Sequence, residues 1–160
     1  VIVSIRLKCC GYLDSEEDRN RTAQVSALAK LLVDLRQDRL GDAAKPFRNA
    51  PILVLGDWNI VGGRTPLTLL EDPLGPGLTQ AWLPKIVGND YWTWRDRGSS
   101  FAPSHLDIAV YSADRLAHVG GFVLDSDQLN AQERNALGLQ LNDSLVSDHL
   151  LIVADFGDKI

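Results

Sequence analysis

The sequence predicts an α+β chain in which a mostly mixed or antiparallel sheet is flanked by helices, and three observations carry that expectation. Ile52-Leu53-Val54-Leu55, set between Pro51 and Gly56, is a continuous aliphatic run of strand length, the pattern of a strand buried on both faces. Val25, Leu28, Leu32 and Leu35 recur at three- and four-residue steps, which draws one apolar stripe along a helix covering a core. Two more apolar runs, Leu106 to Tyr111 and Leu150 to Val153, stand late in the chain, each directly after polar residues. At 160 residues and 45% hydrophobic the chain can bury one core, and no shift in composition marks a second domain.

Taken in order, Val1 to Leu7 is apolar at odd positions, which suits a strand with one buried face. Asp14-Ser15-Glu16-Glu17-Asp18 opens a helix: Ser15 can cap, Asp18 can reach back, and the acids suit the positive end of the dipole. In that helix Arg19, Arg21, Lys30 and Arg36 fall mainly off the apolar stripe, and Gly41 to Pro46 is the loop into the central strand. Gly62-Gly63 frees the backbone to approach a ligand, and Thr65-Pro66 caps and begins a short helix through Leu67 to Glu71. Residues 72–77 are rich in turn formers. Tyr91-Trp92-Thr93-Trp94 reads as a short strand with Trp92 and Trp94 on one face, packing being the favoured role of both and substrate stacking by Trp92 the lesser one. A helix is expected from Gln132 to Leu137, and His118, with no polar constellation around it, is expected at the surface.

The formal net charge of −5 weighs against broad, nonspecific binding to a nucleic-acid backbone and is compatible with a small phosphate ester. Cys9 and Cys10 are adjacent; strand neighbours point to opposite faces, so a mutual disulfide is not expected, and no metal-type cysteine spacing occurs. No apolar run approaches the roughly 20 residues that cross a bilayer, and no basic segment precedes a long apolar core at the N-terminus, so a soluble chain is expected in a compartment left open. The sequence begins at Val1 and contains no methionine, which suggests a processed or excised piece.

Function points to Gly56-Asp57-Trp58-Asn59. In extended chain Asp57 and Asn59 share a side, so a carboxylate and an amide can address one ligand, while the plainer alternative is a Gly-Asp turn whose Asn bonds its own backbone. Ser104-His105-Leu106-Asp107 and Ser147-Asp148-His149 likewise set acid or imidazole beside a strand, and an acid within a strand such as Asp107 requires a partner. These three motifs, in this order and before a terminal apolar strand, resemble the endonuclease/exonuclease/phosphatase family.

The resemblance implies a four-layer α/β-sandwich of the deoxyribonuclease type, of which residues 1–160 would be the C-terminal part, and a metal-dependent phosphoesterase that attacks phosphorus with water. It implies that Asp57 orients or deprotonates the water and that Asn59 holds a phosphate oxygen. His149 would stabilise charge or donate a proton, with Asp107 accepting from its other ring nitrogen, and all five positions, Asp148 included, would converge on one cleft. Asp148, with Asp57, would hold one or two magnesium or manganese ions. Ser4 and Arg6 stand where the family has Asn and His, and Arg6 offers a guanidinium to phosphate; the family's metal-binding glutamate has no counterpart in this chain. Implied substrates are phosphate esters, whether nucleic acid, nucleotide, or a phospholipid or inositol phosphate headgroup. An apolar sheet face, uncovered without an N-terminal half, would support self-association. The alternative is an incomplete, non-catalytic binding or structural module of the same fold. A serine hydrolase using Ser104 or Ser147 is discounted because neither sits in a Gly-x-Ser-x-Gly elbow.

Overall fold

The computed structural model describes residues 1–71, 79–82 and 92–159. The expected turn-rich stretch at 72–77, and Tyr91 of the aromatic segment, lie outside these residues. In chain order the elements are β1 (Ile2–Arg6), α1 (Glu16–Arg36), β2 (Leu53–Asp57), α2 (Thr65–Glu71), β3 (Thr79–Trp82), β4 (Asp107–Ser112), β5 (Leu116–Leu124), α3 (Ala131–Leu137) and β6 (Leu151–Asp158), with short 3-10 turns between some of them. The chain divides into two compact units, one of Val1–Leu83, Asp107–Ala117 and Gly157–Ile160, the other of Pro84–Leu106 and His118–Phe156.

The first unit is built on a sheet of order β1-β2-β4-β3, parallel between β1 and β2 and antiparallel elsewhere, so the sheet is mixed as expected. Ile52 and Val54 of the central run bury against Val25 and Leu32 of α1, Leu67 and Leu70 of α2, and Ile108 and Val110 of β4. Helices therefore flank one face. The other face departs from the expectation of a strand covered on both sides: Leu53 is half-buried and Leu55 is 36% exposed. Along the same face Ile2, which pairs with Leu53, is 76% exposed, whereas Ala109 and Tyr111 of β4 are buried.

Helix α1 begins where the acidic opening predicts. Ser15 caps it, its hydroxyl accepting from the Asp18 N–H at 3.2 Å, and Val25, Leu32 and Leu35 are buried along the stripe. Arg21 departs from the pattern, since its residue exposure is 0% rather than that of an off-stripe arginine. The reason is hydrogen bonding: its guanidinium donates to the Lys8 carbonyl (3.0 Å), the Cys10 carbonyl (2.6 Å) and the Asp18 carboxylate (3.0 Å), which lets a charge leave water. Gly62 also does other work than approaching a ligand. A Cβ there would lie 2.5 Å from Asp18 Oδ1, so the close approach is to a carboxylate of the fold itself.

In the second unit Val123 and Leu150 form a small core with Trp92 and Ile152 packed on it. Trp92 thus takes the packing role. Residues 92–94 do not form a regular strand; Trp94 makes isolated bridges to Ser104 and to His149. The N–H groups of Thr93 and Trp94 both donate to the Ser104 carbonyl at 3.0 Å, an arrangement that a regular ladder does not contain. Helix α3 falls where expected, with a capping box between Asn130 and Glu133 and Gly138 closing it at φ 69°. His118 is half-buried rather than at the surface, its ring 5.6 Å from that of Phe156 in an edge-on contact.

Candidate functional site

The sheet register puts Arg6, Asp57 and Asp107 in one row, Arg6 opposite Asp57 across the parallel pair and Asp57 opposite Asp107 across the antiparallel pair. Residues directly opposite share a face, with Cβ atoms roughly 4.5–5.5 Å apart, and like charges so placed repel. The row thus sets two carboxylates at one end of the sheet. Arg6 stands beside them, its Nε 3.9 Å from Asp57 Oδ2 and its side chain 83% exposed, so solvent screens the pair.

Asp57 itself is buried and held in one orientation. Its Oδ1 accepts from the Asn59 backbone N–H at 3.0 Å and its Oδ2 from Asn59 Nδ2 at 2.7 Å, and the same Nδ2 donates to the Leu7 carbonyl at 3.1 Å. The amide thus donates both its protons inside the protein and orients Asp57. Both readings of the motif survive in part, because the local turn and the shared-side pair occur together. Asn59 adopts φ 48°, a left-handed conformation that Asn tolerates better than most residues. Between the two, Trp58 turns the opposite way, fully buried, and its Nε1 donates to the Ile108 carbonyl at 2.9 Å. Gly56 is required where it stands: φ is +132°, and a Cβ would lie 2.1 Å from the Ile5 carbonyl oxygen.

The second unit holds Asp148 and His149. Trp94 Nε1 donates to Asp148 Oδ2 at 2.8 Å, the Arg95 N–H donates to the Asp148 carbonyl at 2.8 Å, and the His149 N–H donates to Ser147 Oγ at 3.1 Å. Asp148 is exposed and His149 half-buried. Nearby in that unit Arg95 bonds the fully buried Asp125 side chain at 2.6 Å and Asp127 at 3.2 Å, with the exposed Arg97 also on Asp127. The structure thus brings Arg6, Asp57, Asn59 and Asp107 together in the first unit, and Trp94, Asp148 and His149 together in the second. Sequence reasoning missed the Leu7 carbonyl and the Trp94 indole as partners of the motif residues. A carbonyl leaves no trace in side-chain spacing, and Trp94 and Asp148 are too far apart in sequence for a pattern to link them.

Asp57 and Asp107 offer hard oxygen donors of the kind magnesium takes. Among the described residues no group of three or more acid, imidazole or thiol side chains gathers to hold a metal ion. Among them, too, no helix is long and apolar enough to cross a membrane.

No family model and no curated protein matches the chain. A solved structure does, that of the human Nocturnin catalytic domain with bound sulfate anion, at a TM-score of 0.57 and 22% identity. The chain shares the fold of the matched part of that domain. The match covers 99% of this chain and 47% of the Nocturnin chain, so the present sequence spans about half the length of its structural neighbour. The mixed sheet and flanking helices agree with the α+β fold class expected from the sequence, whereas strands β3 and β5 were not anticipated and the expected strand at 92–94 is absent.

Proposed function

We propose that this chain is the C-terminal part of a phosphoric ester hydrolase domain of the endonuclease/exonuclease/phosphatase type. The observation that carries the proposal is the row of Asp57 and Asp107 at the end of the sheet, with Asp57 locked by Asn59. A general base needs a fixed direction as well as basicity, and the paired bonds from Asn59 supply the direction. The likeness to a catalytic domain solved with sulfate adds support, since sulfate shares the tetrahedral oxyanion shape of phosphate.

In this reading Asp57 takes a proton from the attacking water, Arg6 contacts a phosphate oxygen, and Asn59 acts as a positioning residue. His149 gives a proton to the leaving oxygen or stabilises charge developing at phosphorus. The reading requires that the Asp57 and His149 groups serve one phosphorus; the order of the three motifs along the chain supports this. One or two magnesium or manganese ions are the cations such oxygen donors would take, with Asp148 as a contributor.

The test is hydrolysis of bis(p-nitrophenyl) phosphate by the intact domain carrying this chain, with and without chelator. Turnover that chelator removes and magnesium restores is expected. Turnover that ignores chelator and yields to a serine-directed inhibitor would assign the chemistry to a serine hydrolase. One observation favours a second reading, a non-catalytic module: no full donor set for a hard cation gathers among the described residues. Absence of turnover in the intact domain, with phosphate esters still bound, would select that reading.

A further inference from the structure

The segment after β1 carries two thiols whose placement the strand argument did not anticipate. Cys9 and Cys10 lie outside any strand, and both are exposed. Cys10 takes φ 70° and Gly11 φ 80°, a left-handed pair that swings the second side chain round to the first. As a result the Cys10 thiol donates to Cys9 Sγ at 2.8 Å, and the two sulfurs share one side of the loop.

The loop is pinned on both flanks of the pair. Arg21 donates to the carbonyls of Lys8 and Cys10, and the Lys8 N–H donates to Gln24 Oε1 at 2.9 Å, so α1 grips the backbone around the thiols. On the other side lies Leu7, whose N–H donates to the Asp57 carbonyl at 2.9 Å and whose carbonyl accepts from Asn59 Nδ2. Cys9 is thus two residues from the contact that fixes the Asp57–Asn59 arrangement.

We propose that Cys9 and Cys10 form a modification site, a vicinal dithiol that a peroxide closes to an intramolecular disulfide, and that closure displaces Leu7 and loosens the Asn59 contact. The chemistry balances without further reactants. Cys9 sulfur attacks one oxygen of hydrogen peroxide, the O–O bond breaks, and a sulfenic acid and water result; Cys10 sulfur then attacks Cys9 sulfur, the S–O bond breaks, and a disulfide and a second water form. Two electrons pass from the thiols to the peroxide. The roles of the two sulfurs are interchangeable in this step, and the contact with Cys9, foremost among the causes, holds the Cys10 thiol above its ordinary pKa. A metal centre is the weaker alternative, since no third donor joins the pair among the described residues.

The structural consequence follows from chain geometry. Adjacent Cα atoms stand about 3.8 Å apart across a trans peptide, nearer than the roughly 4.4–6.8 Å that disulfides ordinarily span, so the linking peptide must twist on closure. The carbonyls on either side of that peptide are the ones Arg21 holds, and in the proposal the twist strains these contacts and shifts the adjoining Leu7.

The experiment treats the 160-residue chain with dilute hydrogen peroxide and follows it by peptide mass and by amide NMR. The expected result is a chain without intermolecular disulfides whose peptide containing both cysteines has lost two hydrogen atoms, with the Asn59 side-chain amide signals shifted more than the backbone amides of α3. Dithiothreitol should reverse both changes. Cys9→Ser and Cys10→Ser, checked for folding by circular dichroism, should show neither; two single variants guard against one failing to fold. Disulfide-linked dimers or sulfinic acid as the main product would overturn the proposal, and so would closure that leaves the Asn59 signals in place.

Discussion

Gly56 and Asn59 show how little freedom the site leaves to single residues. A methyl at Gly56 meets the Ile5 carbonyl oxygen at 2.1 Å in a backbone conformation that side chains rarely adopt, so Gly56→Ala should cost more than about 2 kcal/mol in urea denaturation. Asn59→Ala leaves the buried Leu7 carbonyl and Asp57 carboxylate short of donors; a loss of about 1–3 kcal/mol is expected, and an unchanged urea midpoint would show that the amide is dispensable to the fold. The sequence made Asp57 and Asn59 legible as a pair because alternation along an extended chain needs only spacing. It did not disclose that Asn59 spends its protons on Leu7 and Asp57, because Leu7 contributes a backbone carbonyl 52 residues away.

Helix α1 is the element whose behaviour with pH can be worked out. The Asp14 N–H chiefly, then Arg21 and the Gly63 N–H, hold the Asp18 carboxyl below the ordinary carboxylate pKa. A group depressed in the folded state contributes stability that is fully present above its unfolded value, about 3.9, and is lost as pH falls below that toward the folded value. Thermal melts at descending pH should therefore show stability falling below about pH 4, and Asp18→Asn should flatten that fall; an equally steep fall in the variant would place the acid sensitivity elsewhere. The helix's cap and apolar stripe were readable because both are local, periodic signals. Arg21 was not, since its burial depends on carbonyls of Lys8 and Cys10 delivered by a loop with three left-handed residues, Cys10, Gly11 and Asp14. The aromatic segment at 92–94 failed as a strand for a related reason: alternation predicts extended chain, whereas a shared acceptor at Ser104 decides the pairing.

For the molecule as a whole, the mixed sheet with flanking helices was legible from runs and stripes, while the state of its second face was not. Continuous aliphatic sequence cannot say which face a strand leaves open. Ile2 lies on β1, at an edge of the sheet, and with Leu55 it leaves apolar surface in water, a configuration that favours association. Sedimentation of the 160-residue chain at micromolar concentration should show dimers or larger species, and Ile2→Lys should shift it toward monomer; a monomer at all concentrations would remove self-association from the account.

The central claim, that Asp57 and His149 serve one phosphorus, is tested most directly by a double-variant cycle in the intact domain. kcat/KM for bis(p-nitrophenyl) phosphate is measured for Asp57→Ala, His149→Ala and the two combined. Groups acting on one reaction as a unit are strongly non-additive, so each single variant should lose most of the activity, on the order of a thousandfold, and the double variant little more than the worse single. Losses that multiply in the double variant, or turnover retained in either single, would contradict a shared site.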